Sequence, residues 1–318
     1  MTGKPPPPPL PVVRVGEIPC EDQPRRWLID QLWGDASVGL IGGAPKCSKT
    51  WLGLDLALSV ATGTACLGKY TVARAGPVLV YLAEDALPVL RERVAGMARH
   101  RGLELAEVPM NVITAPTLRL DRDPHRTQLW ETARRLRPRL VLLDPLVRLH
   151  GIDENKAGEV AGLLAYFRSL QRQLDLSVML VHHTRKNATG GAAAGQGLRG
   201  SGDLHAFGDS NLYLRRSRER LLLSSEHRAA PASPPVYLEL VATDVQATHL
   251  EVVADMHGQK RVSLRDQVLA LLAGDVVRTR AALRETLGVK NQRLGEVLES
   301  LEQGGQIRRT PAGWRRVA

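Results

Sequence analysis

The sequence predicts an α/β protein: a core with a mainly parallel sheet and antiparallel edge strands, plus a small winged-helix domain. Three observations carry this. Between residues 38 and 183, short apolar runs ending in glycine or polar residues alternate with segments of helical period, the pattern of a parallel sheet covered by helices. Four strand-like segments then follow without a helix between them, NLYLRR, RLLLSSEH, VYLELVA and HLEVVAD, and continue one edge of the sheet antiparallel. Residues 257–318 read as three short helices with glycine stops and a hairpin, the order of a helix-turn-helix relative with a wing.

The elements follow in order. Residues 1–24 contain PPPPPLP, extended polyproline-type chain expected to form a flexible tail. The core, residues 25–256, begins near Trp27. VGLIGG (38–43) is a strand. WLGLDLALSVATG (51–63) is a helix ending at glycine. GPVLVYLAED (76–85) is a buried strand with two acids at its end, and 87–102 is a helix. MNVIT is a short strand, 124–137 a helix, and RLVLLDPL (139–146) a strand closing on Asp144. Residues 159–175 form an amphipathic helix, followed by the strand SVMLVHH. The glycine-rich stretch 184–204 reads as a mobile surface loop, and so long a loop is usually functional. In the last unit, residues 263–274, 279–288 and 291–305 are helices. QIRRTPAGWRRV is a hairpin turning at Pro-Ala-Gly.

Composition narrows the function. The chain has 318 residues, 43% of them hydrophobic and 4% aromatic. That suits one core of roughly 200 to 250 residues plus something small. The net charge is +10, and residues 257–318 hold twelve Lys or Arg against six Asp or Glu, a net of +6. This balance favours a polyanionic partner. Cys20, Cys47 and Cys66 have no metal-ligand spacing and no disulfide framework. The N-terminus lacks a signal-type apolar core, and no apolar run approaches about 18 residues. The expectation is a soluble cytoplasmic protein without membrane contact.

The chemistry centres on GGAPKCSKT. A phosphate loop is a glycine, four variable residues, then Gly-Lys-Ser/Thr. Gly43, Lys49 and Thr50 stand where the pattern requires them, with Ala44, Pro45, Lys46 and Cys47 between; Ser48 replaces the second glycine. Backbone amides at the start of the helix, up to Trp51, would cradle phosphates. Lys49 would reach the β- and γ-phosphates, and Thr50 would ligate Mg2+. Glycine at position 48 would let backbone and phosphate approach closely; serine adds a hydroxyl that can donate to phosphate. Asp144, ending LVLLD, can hold the magnesium water shell. Glu84, ending LVYLAE, can orient or deprotonate a water, with Asp85 as its rival. His182 or His183 would sense the γ-phosphate. Arg185, Lys186 and Arg199 flank the glycine-rich loop, where they could contact nucleic-acid phosphates or reach a neighbouring subunit's nucleotide.

With WLIDQLW, GGAPKCSKT, YLAED, LLDPL, VHHTRK and LRGSGDL in hand, residues 25–255 resemble the RecA-like ATPases of the hexameric helicase type, especially the plasmid replication RepA helicase group. The resemblance implies a RecA/DnaB-like core rather than an AAA+ architecture with a helical lid. It implies Glu84 as the residue activating water, Asp144 as the magnesium support and His183 as the phosphate sensor. It also implies Arg199 as a finger acting across a subunit boundary, in rings whose ATP sites lie between subunits. Two features depart from that pattern: Ser48, and the winged-helix-like segment, which is not part of the minimal helicase core.

Three functional expectations follow. The first is an ATP-binding and ATP-hydrolysing homo-oligomer, such as a hexameric ring, acting on DNA in replication, recombination or mobile-element maintenance. Residues 184–204 and 257–318 would hold the DNA. The second is a non-hydrolysing DNA-binding or assembly factor with a degenerate phosphate loop. The third is a protein-interaction ATPase accessory to a replication or transposition complex. The third is motivated by Glu296, Glu299 and Glu302 on the last helix.

Overall fold

A computed structural model describes residues 11–18, 27–183, 202–217, 219–242, 247–254, 264–274, 276–289 and 291–317. The chain divides into two compact units, Met1–Val253 and Ala254–Ala318.

The first unit is built on a nine-stranded sheet. Its strands are β3 (Val38–Gly43), β4 (Val78–Leu82), β5 (Met110–Val112), β6 (Leu140–Asp144), β7 (Ser177–His183), β8 (Ser210–Ser217), β9 (Arg220–His227), β10 (Val236–Ala242) and β11 (Thr248–Val253), in the order β11-β10-β9-β8-β3-β7-β6-β4-β5. The pairs from β8 to β5 are parallel and those among β8–β11 antiparallel. β7 lies between β3 and β6, so the strand carrying the paired histidines separates the strand feeding the phosphate loop from the strand ending in Asp144. A glycine inside β3 has a steric cause: a Cβ on Gly39 would sit 1.6 Å from the Ser210 carbonyl oxygen on β8.

The helices of this unit are α1 (Lys49–Thr62), α2 (Leu87–His100), α3 (Asp123–Leu136), α4 (Ala157–Leu174) and α5 (Gly202–Phe207). Side chains alternate across each strand, which divides the core in two. Ile41, Val80, Leu142, Met179 and Val181 meet α1 and α2 on one face. Leu40, Leu79, Val141, Leu143, Val178 and Leu180 meet α3 and α4 on the other. α1 is buried on nearly all sides, rather than carrying the single apolar stripe of a surface helix. It therefore buries Asp55, whose carboxylate is satisfied by Arg101 Nη2 at 2.6 Å and by the Leu67 amide at 2.8 Å.

Two features differ from the sequence expectation. Trp27–Ile29 (β1) and Trp33–Gly34 (β2) form a small antiparallel hairpin with Trp33 fully buried. Its turn places Gln31 at φ 59 with no glycine or proline to announce it. Residues 202–204, expected in the glycine-rich loop, belong to α5, where Leu204 is buried. The remainder of that loop, 184–201, lies outside the described residues, as does most of the proline-rich tail; within the tail, Val15–Glu17 forms a 3-10 turn.

The second unit holds α6 (Leu264–Leu271), α7 (Arg280–Leu287), α8 (Asn291–Gln303) and the hairpin β12 (Ile307–Thr310) and β13 (Gly313–Arg316). Its core is Val268, Leu272, Leu283, Leu294, Leu298, Leu301 and Ile307. Thr279 caps α7 by accepting from the Ala282 amide at 3.2 Å, the role for which N-cap threonine is favoured. Residue 278 bridges to Trp314 and extends the hairpin by one rung. Gly313 is obligatory there: φ is 137, and a Cβ would meet the Arg278 carbonyl oxygen at 2.5 Å.

Candidate nucleotide site

The parallel strands end together, and the loops beyond them form a cleft of about 330 Å³. It is lined by Lys46–Trp51, Leu82, Glu84, Asp85, Arg93, Asp144, Pro145 and His183. Strand alternation selects these groups. Asp144 follows Leu140 and Leu142 on the α1 face of β6, and His183 follows Met179 and Val181 on the same face of β7. His182 points to the opposite face, where it is buried and lies 3.8 Å from Glu154. Of the two histidines, His183 is the one in the cleft.

The loop from Gly43 to Ser48 is held on both sides. A Cβ on Gly43 would lie 2.5 Å from the Leu214 carbonyl oxygen and 2.6 Å from Cys47 Sγ, so only glycine fits the first motif position. Cys47 is buried, its thiol directed to the Leu214 carbonyl at 3.7 Å. Burial pushes that thiol's pKa up, so Cys47 acts as a neutral wedge. Ser48 is the N-cap of α1 with φ 62 and ψ 27, and its side chain makes no capping bond. The glycine usual at this position therefore has a backbone reason as well as a contact reason, since left-handed geometry is costly for residues with a Cβ. Lys46 is also left-handed, at φ 60.

Lys49 is 5% exposed. Its ammonium donates to the carbonyls of Gly43 at 3.0 Å and Ala44 at 2.8 Å. Burial lowers its pKa, opposed by the nearby carboxylates of Asp144 and Glu84. Thr50 Oγ1 donates to Asp144 Oδ2 at 2.6 Å, which joins the helix after the loop to the end of β6. Burial raises the Asp144 pKa to about 6, against the Thr50 hydrogen bond and the Lys49 charge, which lower it.

Glu84 and Asp85 both line the cleft, and each holds a different arginine. Glu84 Oε1 accepts from Arg148 Nε at 2.7 Å. Asp85 Oδ2 accepts from Arg93 Nη1 at 2.5 Å, and Arg93 in turn lies over the Trp51 ring, 5.3 Å from its centroid. Trp51 and Arg93 also border an adjoining cleft of about 590 Å³ along α2, with Arg91 and Arg99. Arg93, Arg148 and the Asp55–Arg101 pair have no signature in the sequence, because no motif spacing ties an arginine to an acid 8, 46 or 64 residues away. Arg199, Arg185 and Lys186 lie outside the described residues.

This donor set fits a magnesium nucleotide. A helix N-terminus with a buried ammonium suits phosphate oxygens. A hydroxyl beside a carboxylate suits a hard cation that takes its remaining oxygens from phosphate and water. Among the described residues, no three His, Cys, Asp or Glu side chains gather into a metal site of their own, so the cation would depend on the nucleotide's oxygens.

Loop, lysine, threonine and strand-end aspartate define a P-loop nucleotide-binding ATPase domain. The chain belongs to the AAA domain family, whose model matches residues 4–189. Among solved structures it is similar to a DnaB-like replicative helicase described with its interactions with primase, at TM-score 0.53 and 15% identity. That match covers 69% of this chain and 58% of the helicase, so this chain spans little more than half of that protein. It is also similar to the RadB recombinase at TM-score 0.49 and 18% identity, over 69% of this chain and 92% of that one. The fold is thus the RecA-like α/β core, with a mainly parallel sheet and antiparallel edge strands. Among the described residues, no helix is long and apolar enough to cross a membrane.

Proposed function

We propose that this chain is an ATP-hydrolysing, DNA-associated homo-oligomer of the replicative helicase type, serving replication, recombination or mobile-element maintenance. The observation carrying most weight is the 2.6 Å contact between Thr50 and Asp144. It brings together, from residues 94 apart in sequence, the hydroxyl and carboxylate that a magnesium nucleotide needs.

In this reading Lys49 leaves the carbonyls of Gly43 and Ala44 for the β- and γ-phosphates, while amides from Lys46 to Trp51 hold the remaining phosphate oxygens. Thr50 and Asp144 would hold the cation, which when bound would neutralise charge developing on the transferred phosphoryl group. Glu84 orients the attacking water and accepts its proton. His183, at the end of β7, senses the γ-phosphate. The nucleoside lies toward Trp51 and the cleft along α2. Arg199 reaches the nucleotide of a neighbouring subunit in a ring, and residues 184–204 meet DNA.

The second unit, read as a winged-helix domain, holds DNA through its hairpin. Arg308 pairs directly with Arg315 across β12 and β13, and Arg309 and Arg316 are exposed beside them. Like charges opposed across strands are unfavourable, and a phosphate backbone between them reverses the sign. Glu296, Glu299 and Glu302 are exposed on α8, which argues against that helix entering a groove.

The test is phosphate release from ATP and magnesium by the full chain, with and without single- and double-stranded DNA, beside Lys49→Ala and Glu84→Gln. DNA-stimulated release lost in both variants supports the reading. Unchanged nucleotide affinity and rate in Lys49→Ala refutes it.

One observation favours the second reading, a nucleotide-binding assembly factor without turnover: Ser48 holds the left-handed position of the loop at a cost. Binding without release in every condition would establish it. The acidic face of α8 favours a protein partner for the second unit, which unchanged DNA affinity after deletion of residues 257–318 would support.

A further inference from the structure

Glu84, the general base of the proposed reaction, is engaged by a cation outside the nucleotide motifs. Arg148 Nε donates to Glu84 Oε1 at 2.7 Å. The arginine sits on the 3-10 turn Leu146–Arg148, directly beyond Asp144 and Pro145. Leu146 and Leu149 are fully buried on either side of it. Farther along the same segment, His150 Nε2 lies 3.2 Å from Glu154, and the other Glu154 oxygen lies 3.8 Å from His182, the neighbour of His183. The turn is therefore rooted at both ends, while Arg148 itself is 63% exposed. Glu84 hangs from the bend between β4 and α2 and is 48% exposed.

A general base must bring its oxygens within hydrogen-bond reach of the water it activates, and here one of them is taken by Arg148. The pair also fixes the carboxylate toward β6's outgoing turn rather than leaving it to follow a water. We propose that Arg148 is a positioning residue that restrains Glu84 in the resting protein, and that an anion drawing Arg148 away sets Glu84 free to act. This rests on the ATPase reading above. Both partners are solvated, so the restraint is shallow: an exposed pair of this kind shifts an equilibrium by up to about fivefold. Arg148 thus tunes the rate rather than switching it. It lies four residues beyond Asp144, on the segment leaving β6.

The experiment is steady-state phosphate release by the full chain as wild type, Arg148→Ala, Arg148→Lys and Glu84→Gln, with and without single-stranded DNA. Binding of a fluorescent ATP analogue is measured in parallel. The proposal expects Arg148→Ala to raise DNA-free kcat by up to about fivefold at unchanged KM. Stimulation by DNA shrinks by the same factor. Arg148→Lys, which keeps a donor, holds the basal rate down. A lower kcat in Arg148→Ala, a changed KM at constant kcat, or no change overturns it. If the wild type binds the analogue without turnover, the restraint predicts that Arg148→Ala gains release, and silence in both overturns the restraint while nucleotide binding stands. If the wild type binds no analogue, the ATPase reading fails and the restraint with it.

Discussion

Ser48→Gly should stabilise the first unit, against the usual expectation that removing an N-cap serine harms a helix. Ser48 caps α1 at φ 62 and ψ 27, with no side-chain bond to the helix. Left-handed geometry costs a residue with a Cβ about 1–2 kcal/mol, and glycine removes that cost. Glycine also widens the unfolded ensemble, which returns about 0.4–1 kcal/mol. The net is a gain of about 1 kcal/mol, equivalent to about 2–4 °C in Tm for a unit of this size. Ser48→Ala is the control: it keeps the Cβ and loses a hydroxyl that bonds to no helix amide, so it should stay within about 0.5 kcal/mol of wild type. The assay is thermal and urea unfolding of the three proteins without nucleotide. A loss of about 1 kcal/mol in Ser48→Ala, as for an ordinary cap, with no gain in Ser48→Gly, would refute the reasoning. It would mean the hydroxyl caps the helix and the backbone is not strained.

Other outcomes follow from the same geometry. Asp144 has a folded pKa of about 6 against an ordinary 3.8. The folded state therefore binds the proton more tightly, and stability falls as pH rises from about 4 to 6, by about 3 kcal/mol in all. Asp144→Asn should flatten that limb in urea titrations. If Asp144 holds the cation of a bound magnesium nucleotide, it does so ionised, so magnesium-dependent nucleotide affinity should weaken as pH falls through about 6, and this pH dependence should shrink in the same variant. Arg101→Ala leaves the Asp55 carboxylate, whose side chain is 3% exposed, without its cation and should cost about 3–5 kcal/mol in chemical unfolding. If the hairpin of the second unit holds duplex phosphates, Arg308→Ala should lower the slope of log affinity against log salt by about 0.9; anisotropy at several salt concentrations measures it.

The sequence showed the skeleton of the site because its parts are local. The phosphate loop is a contiguous motif, and Glu84, Asp144 and His183 each close an apolar run. The sheet's parallel half was legible for the same reason: period and run length mark each strand. Pairing was not. That β7 would lie between β3 and β6 is a matter of tertiary packing. The residues alone left His182 and His183 open and the resemblance chose His183; the face on which each residue of β7 falls depends on register. The hairpin at Trp27–Gly34 was hidden because its left-handed turn residue is glutamine. Likewise, the motif shows that Ser48 departs from glycine but not that the position is left-handed. The arginines on Glu84, Asp85 and Asp55 were invisible for want of any local signature.

The phosphate loop is keyed mechanically to the antiparallel half of the sheet. Cys47 wedges against the Leu214 carbonyl, Gly43 sits where no larger residue clears that carbonyl, and Arg216 Nη2 donates to the Lys46 carbonyl at 3.1 Å. All three anchors belong to β8, whose far edge is paired in turn to β9, β10 and β11. The meander acts as a leaf spring clamped to the loop: a load that bends or shifts β8 is delivered within two residues of Lys49.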